Sequence, residues 1–368
     1  MKILYAIQGT GNGHLSRARD IIPLLQEKGE VDILISGVQA DIELPYVVKY
    51  RFKGLSFIFG KKGGVDLWKT FHNSNTKNLF KEIRSLPVKQ YDLIINDFEP
   101  VSAWAAKING VPCISLSHQS AVLSKFAPKP ANSDWIGKTI LKNYAPCSQS
   151  YGFHFDRFDH HIFTPVIRKQ IRQIDPNDEG HYTVYLPAYK DELLLKALTK
   201  FPKTRWQVFS KHNKEAIQIK NVNIQPIDNE AFITSMVTSK GILCGAGFET
   251  PAEALYLKKK LMVIPMKNQY EQACNAAALE AMGVPVIKSL KKKHYDTIAL
   301  WLEKGQIIDV YYPDITKSIV DLIIEEHYHK KQTKHPDFNL PQTIDKIDRI
   351  YAALNINTTL SLNTHHEL

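Results

Sequence analysis

The chain reads CGAGFETPAEALYLKKKLMVIPMKNQYEQACNA over residues 244–276. This pattern predicts a strand that ends in the glycine turn GAG and a helix opened by Thr250 and Pro251. A second strand then ends at Pro265, and a polar loop leads into another helix. Free backbone N–H groups at the start of the first helix would face the crevice above the sheet, where an anion such as a diphosphate binds readily.

A second glycine turn lies near the start of the chain, where the apolar run KILYAI is followed by QGTGNGH at residues 8–14. The spacing of Gly11 and Gly13 differs from the dinucleotide-binding G-x-G-x-x-G pattern, and His14 stands where a P-loop has lysine. The turn, with Asn12, is therefore predicted to let a ligand approach the backbone beside an imidazole. The positive end of a helix disfavours imidazolium, so we expect a neutral His14 that accepts a proton. An ordinary residue of a first helical turn fits the same position.

Short β-rich runs alternate with helix-length segments along the whole chain. Runs that are apolar on both faces are typical of buried parallel strands, so the pattern predicts an α/β protein with two Rossmann-like, doubly wound domains facing a cleft. The predicted units are a first domain at 1–165, a linker at 166–180, a second domain at 181–335, and a helix and polar tail at 336–368 that cross back to the first domain. The predicted strands are residues 2–7, 31–36, 91–97, 112–118, 182–187, 206–210, 221–226, 240–245, 261–265 and 285–289.

Composition narrows the class of protein. The 368 residues are 44% hydrophobic and carry a net charge of +10, as in a basic globular protein. The four cysteines have no metal-site spacing, and no apolar run is long enough to span a membrane, so we expect a cytoplasmic protein. Its lysine clusters lack interleaved aromatic residues, which argues against nucleic acid as a partner. The loop with Lys61, Lys62 and Trp68 is instead predicted to contact the anionic inner face of the cell membrane.

The 244–276 stretch resembles the donor site of GT-B glycosyltransferases that use nucleotide sugars. In that superfamily a glycine turn, a helix carrying a glutamate and a Gln-x-x-Asn-Ala element follow in this order. The GTGNGH turn resembles the glycine loop and histidine of the same enzymes, and SHQS (117–120) and NDFEP (96–100) fall where they have cleft elements. Within the superfamily, the chain is most similar to peptidoglycan lipid-precursor N-acetylglucosaminyltransferases and related UDP-glycosyltransferases.

The resemblance implies a role for each matching residue. Glu253 would bind the ribose hydroxyls, and Glu271 and Gln272 would hold hydroxyls of the donor sugar. His14 is the first choice for the catalytic base and Asp97 the second, although Asp97 also fits a cap on the loop after its strand. The implied donor-binding residues are Gly245, Ala246, Gly247, Phe248, Glu253, Gln269, Glu271 and Gln272. The implied residues of the acceptor side or cleft are Gly11, Asn12, Gly13, His118 and Gln119.

The activity that the resemblance implies is transfer of a hexosyl or N-acetylhexosaminyl group from a nucleotide sugar, UDP-linked, to a hydroxyl of a glycan or lipid-linked acceptor, with inversion. No metal or other cofactor is expected, because backbone N–H groups and a helix dipole can stabilise the leaving diphosphate. Two alternatives remain open from the sequence. One is a nucleotide-sugar 2-epimerase, and the other is a non-catalytic subunit that binds a nucleotide sugar.

Overall fold

Two mainly parallel β-sheets form the framework of the chain. The computed structural model describes residues 1–37, 44–55, 76–131 and 134–329. Helices alternate with the strands in both halves, so the predicted α/β architecture with two doubly wound sheets is confirmed.

The first sheet has seven strands in the order β3-β2-β1-β4-β5-β6-β7, and all of its pairs are parallel. Described helices lie between β1 and β2, between β3 and β4, between β4 and β5, and between β5 and β6, and crossovers of this kind accompany parallel pairing. The strands are β1 (Lys2–Gln8), β2 (Glu30–Ser36), β3 (Val48–Phe52), β4 (Leu93–Asp97), β5 (Ile114–Ser117), β6 (Gln149–Phe153) and β7 (Ile162–Phe163). The helices are α1 (Asn12–Gln26), α2 (Thr76–Ser85), α3 (Pro100–Asn109), α4 (His118–Leu123) and α5 (Trp135–Tyr144).

The second sheet has six strands in the order β10-β11-β9-β8-β12-β13, and its only antiparallel pair among the described residues is β10 with β11. A short helix, α6 (Lys169–Arg172), precedes it within the predicted linker. The strands are β8 (His181–Tyr185), β9 (Arg205–Ser210), β10 (Ile217–Ile219), β11 (Val222–Pro226), β12 (Gly241–Gly245) and β13 (Lys260–Ile264). The helices are α7 (Asp191–Leu198), α8 (Asn229–Thr238), α9 (Glu249–Tyr256), α10 (Tyr270–Ala281), α11 (Tyr295–Lys304) and α12 (Thr316–Ile324).

Each sheet has one point at which the strand order reverses. In the first sheet β1 lies between β2 and β4, and in the second β8 lies between β9 and β12. Open α/β sheets bind ligands in the crevice outside the carboxyl ends of the strands at such a point. The carboxyl ends concerned are Gln8 and Asp97 in the first sheet and Tyr185 and Gly245 in the second.

The strand predictions held except at 285–289, where Val286 makes a single bridge to Val263 of β13. Pro285 has no N–H to donate, so the pairing does not extend there. Four observed strands, β3, β6, β7 and β10, were not predicted from the sequence. In β3, Lys49 and Arg51 alternate with less polar residues at the edge of the sheet.

The last described helix, α12, lies against α1 of the first half. Its apolar side chains share a core cluster with those of α1, and Lys28 pairs with Asp321 at 2.5 Å while Lys317 pairs with Glu27 at 3.7 Å. The chain therefore returns to the first half already at α12. The predicted helix and polar tail at 336–368 lie outside the described residues.

Truncating an apolar side chain of α12 should destabilise the protein. Ile323 is fully buried in the cluster that it shares with Ile22 and Leu25, so Ile323→Ala should lower the free energy of unfolding by about 2–5 kcal/mol. Lys317→Ala on the same helix removes only surface ion pairs and should cost about 0–1 kcal/mol. Urea denaturation measures both, and equal losses would contradict this account of how α12 is held.

Candidate active site

A cavity of about 480 Å³ lies between the carboxyl edges of the two sheets. Small-molecule sites typically have volumes of about 300–1,000 Å³. Residues of both halves line it, including Gly11, Asn12, Gly13, His14, His118, Gln119, Gly247, Phe248, Glu253, Gln269, Glu271 and Gln272 from those predicted. Three predicted residues, Asp97, Gly245 and Ala246, are not part of the lining.

The turn after β1 leads directly into α1 through Gly11, whose φ is +93°. A Cβ atom on Gly11 would meet no atom within 4 Å. Glycine is therefore favoured here by the positive φ angle and not by a steric clash. The tight turn places His14 in the first turn of α1, at the edge of the cavity.

The His14 imidazole is oriented by a buried carboxylate. Its Nδ1 lies 2.8 Å from Oδ1 of Asp97, which is fully buried at the end of β4. Burial opposes ionisation of Asp97, but Arg17 and His14 outweigh it and hold the pKa of that carboxyl below its ordinary value. An ionised carboxylate only accepts hydrogen bonds, so Nδ1 of His14 carries a proton, and in the neutral imidazole the lone pair then lies on Nε2. Nε2 of His14 lies 3.4 Å from Nε2 of Gln119.

Arg17 completes this arrangement behind His14. Its Nη2 donates to both carboxylate oxygens of Asp97 at 2.8 Å, and its Nη1 donates to Glu249 of α9. Both Asp97 oxygens are thus engaged, and Asp97 is not part of the cavity lining, so the geometry favours His14 over Asp97 as the residue that faces an acceptor. In the loop after β4, Oδ1 of Asn96 accepts from the backbone N–H of Glu99 at 3.0 Å. Asp97 holds the His14 imidazole in place.

In the second half of the chain, Glu253 of α9 is buried and held by one guanidinium. Arg168 donates to its two oxygens at 2.5 and 2.8 Å and also to Oδ1 of Asn229 at 2.9 Å. A carboxylate has about four lone-pair positions, so a fork of two N–H groups leaves Glu253 able to accept from further hydroxyls.

The turn before α9 departs in part from the prediction. Phe248 lines the cavity and stacks on His118, with ring centroids 3.9 Å apart. Ala246 is fully buried, and its carbonyl accepts from Nδ2 of Asn275 at 3.1 Å. Gly245 is the last residue of β12. Neither Gly245 nor Ala246 is part of the cavity lining, and their contact with a diphosphate stays a prediction.

The polar loop before α10 is fixed by its own glutamines. The side-chain oxygen of Gln269 accepts from the backbone N–H of Gln272, and Oε1 of Gln272 accepts from the N–H of Met266 at 2.9 Å. Glu271 faces the first half, where Nε2 of Gln119 donates to it at 3.2 Å.

His118 lies at the contact between the halves. Its Nδ1 donates to the carbonyl of Phe153 at 2.8 Å, and its Nε2 lies 2.8 Å from Oδ1 of Asn275 in α10. Burial lowers the pKa of His118. The imidazole is therefore held in the wall of the cavity by contacts on both sides of the cleft.

Three charged residues at the site, Arg17, Glu249 and Arg168, were not predicted from the sequence. Arg17 had a detectable signal, because it follows His14 by three positions and so lies on the same face of α1. Glu249 follows the glycine turn closely, but a glutamate is also an ordinary residue at the start of a helix. Nothing in the sequence connects Arg168 with Glu253, because the two are far apart along the chain and meet only in the folded protein.

The described part of the chain contains no group of three or more histidine, cysteine, aspartate or glutamate side chains placed to hold a metal ion. Nor does it contain a helix whose length and apolar character would allow it to cross a membrane. The residues predicted to contact a membrane, Lys61, Lys62 and Trp68, lie outside the described residues.

Solved structures of low sequence identity share this architecture. Arabidopsis thaliana UGT89C1 complexed with UDP is 15% identical, with 96% of this chain and 99% of that chain covered and a TM-score of 0.54. Phytolacca americana UGT2 complexed with UDP-2fluoro-glucose and pterostilbene is 12% identical, with 98% and 95% covered and a TM-score of 0.52. Acinetobacter baumannii MurG is 14% identical, with 88% and 99% covered and a TM-score of 0.49. The first two likenesses, with the strand orders above, identify the fold as GT-B.

Sequence comparison gives the family. No curated protein matches the chain. The family described as glycosyl transferase family 1 matches residues 1–304, and since this covers most of the chain, the protein belongs to that family.

Proposed function

We propose that the protein transfers a hexosyl or N-acetylhexosaminyl group from a UDP-sugar to an acceptor hydroxyl, with inversion at the anomeric carbon. The observation that carries this proposal is the buried Asp97 carboxylate on Nδ1 of His14, which leaves Nε2 as an acceptor at the cavity. A general base needs this arrangement of an oriented imidazole with a free lone pair.

The proposed step is a single displacement. Nε2 of His14 takes the proton of the acceptor hydroxyl while its oxygen bonds to the anomeric carbon, and the bond from that carbon to the diphosphate breaks. The electron pair leaves with UDP, whose charge the N–H groups at the start of α9 stabilise. Inversion requires that the acceptor and the leaving group lie on opposite faces of the anomeric carbon, and in this proposal they approach it from opposite halves of the protein. Metal-independent turnover is part of this proposal, and activity in EDTA tests it.

Support for the UDP donor comes from Glu253, Arg168 and the start of α9 in the cavity wall. A carboxylate held by a guanidinium is well suited to the two hydroxyls of a ribose. Two of the structural neighbours are complexed with UDP or a UDP-sugar analogue.

Support for an acceptor in the first half comes from buried polar atoms beside His14. Among the described residues, Oε1 of Gln8 and Oε1 of Gln119 have no hydrogen-bond partner, and both residues line the cavity. Buried polar atoms are nearly always satisfied by protein, water or ligand. A hydroxyl-rich acceptor, such as a glycan or the sugar of a lipid-linked acceptor, would supply partners.

We further propose that the protein contacts the anionic inner face of the cell membrane through the exposed surface of α5. Its outer surface carries Trp135, which is 71% exposed, and Ile136, which is 46% exposed. Exposed Lys138 and Lys142 lie on the same helix. Aromatic and basic groups together are typical of a surface that binds anionic lipid.

The reaction catalysed separates the remaining alternatives. Incubation with UDP-glucose or UDP-N-acetylglucosamine alone should leave the donor sugar unchanged, and membrane extract should supply an acceptor that is glycosylated. An epimerised sugar without acceptor would identify a 2-epimerase, for which Glu249, Glu271 and His14 in one cavity also provide titratable groups. Donor binding without any turnover would identify a binding subunit.

Removing the imidazole should impair turnover but not donor binding. His14→Ala should lower kcat by about 10²- to 10⁴-fold, the usual contribution of a general base, with nearly unchanged donor affinity. Asp97→Asn should lower kcat similarly, because it allows the wrong tautomer of His14. Steady-state kinetics and calorimetry measure these effects, and near-native turnover of His14→Ala would place the base elsewhere.

Removing the carboxylate of Glu253 should weaken donor binding. Glu253→Ala should reduce UDP affinity by about 1–3 kcal/mol, since ribose hydroxyls would lose their acceptor in a buried site. Glu230→Ala, at an exposed position of the neighbouring α8, serves as the control and should bind UDP normally. Unchanged affinity of Glu253→Ala in calorimetry would remove this assignment.

Altering the exposed face of α5 should weaken membrane binding. The double variant Trp135→Ser, Lys138→Glu should reduce binding to phosphatidylglycerol vesicles by about tenfold, given about 1 kcal/mol for each lysine at the surface. Leu300→Ser, which alters an exposed apolar residue of α11, should not. Co-sedimentation that shows no preference for anionic over neutral vesicles, at low and moderate salt, refutes the membrane contact.

A further inference from the structure

The side chain of Glu249 lies between two helix starts. Glu249 is the first residue of α9, and its carboxylate pairs with Arg17 of α1 across the cleft. A Cβ atom on Gly13 would lie 2.8 Å from Cγ of Glu249, so the side chain packs directly on the glycine turn. Its carboxyl group therefore lies where the first turns of α1 and α9 face each other.

The same features attract a phosphate group. Helix starts carry partial positive charge and free N–H groups, and a guanidinium binds phosphate oxygens in a fork. Arg17 and Arg168 are the only lysine or arginine residues in the described lining of the cavity, and Arg168 is engaged by Glu253. A diphosphate at the start of α9 would therefore lie close to the negative charge of Glu249. The other cationic side chain of this lining, Arg17, is already paired with Glu249.

Burial raises the pKa of Glu249 to about 7, reinforced by Glu253 and opposed by Arg17. Arg17 lowers the pKa of Glu249 only in part, since the same guanidinium also donates to Asp97. The side chain of Glu249 is 22% exposed, so a proton can reach it from the cavity. The titratable and charged groups that act on Glu249 are Tyr5 of β1, His14 and Arg17 of α1, Asp97 of β4, Arg168 before α6 and Glu253 of α9.

We propose that Glu249 takes up a proton from solvent when the donor binds, so that Arg17 and the start of α9 become available to the donor diphosphate. Glu249 is then a residue that couples donor affinity to pH. This inference rests on the proposed function and deepens it, because it names how the diphosphate is accommodated in a cavity rich in carboxylates.

The proposed coupling predicts the direction in which donor affinity changes with pH. Above about pH 7 Glu249 is ionised in the free protein and protonated in the complex, so binding takes up a proton and donor affinity falls about tenfold for each pH unit. Below about pH 7 the free protein already carries the proton, and affinity levels off. Glu249→Gln imitates the protonated side chain and should bind the donor with an affinity that does not change with pH.

Isothermal titration calorimetry at pH 8, in buffers of different ionisation enthalpy, measures the proton uptake directly. UDP-glucose and UDP-N-acetylglucosamine are suitable probes, because their diphosphate diesters do not titrate near neutral pH. The native protein should take up close to one proton per donor, because at pH 8 Glu249 of the free protein lies above its pKa of about 7. Glu249→Gln should take up none and should bind about tenfold more tightly than the native protein at this pH.

Glu280→Gln, at an exposed position of α10, is the matched control and should leave proton uptake unchanged. Uptake that persists in Glu249→Gln would place the proton on another group, such as His14, and overturn the inference. Donor binding by the native protein without proton uptake would also overturn it while leaving the proposed function intact. If neither the native protein nor Glu249→Gln binds a nucleotide sugar, the proposed function fails, and the inference fails with it.

Discussion

The buried guanidinium of Arg17 connects the parts of the site that have to act together. Its side chain is only 1% exposed, and a buried cation is strongly destabilising unless carboxylates and hydrogen bonds surround it. Asp97 accepts from it on one side and Glu249 on the other, while the ring of Phe153 lies 5.4 Å from its Cζ atom. The same charge thus holds Asp97 ionised against His14 and fixes the start of α9 relative to α1.

The two halves use the same local structure for different chemistry. In each, a strand ends at the switch point of its sheet, passes through a glycine turn and continues into a helix. The turn in the first half presents an imidazole, His14, whereas the turn in the second half presents a carboxylate, Glu249. Since both helix starts are positive and both open on one cavity, the cleft combines two helix starts that favour anions with an imidazole.

The two halves meet at the cavity through both polar and apolar contacts. His118 meets Asn275, Gln119 donates to Glu271, and Arg17 pairs with Glu249. Phe248 of the second half stacks on His118 of the first. A ligand that bonds to any of these polar groups therefore acts on both halves.

Much of the site followed from local sequence, because a glycine turn and a helix start are built from neighbouring residues. The prediction for Asp97 was incomplete for a physical reason. Its residue type and its place at a strand end were visible, but its partners come from α1. The burial that makes Asp97 a support for His14, rather than a base in its own right, depends on packing that no single segment contains.

The sequence by itself determined the alternation of strands and helices, the two glycine turns and the positions of His14 and Glu253, since these depend on periodicity and on residues close together along the chain. Only the tertiary structure decided which charges meet. Arg17 and Glu249 are 232 positions apart, and Arg168 and Glu253 are 85 apart. Coulombic and hydrogen-bond contacts depend on distance in space and on exclusion of water, and both are properties of the folded chain.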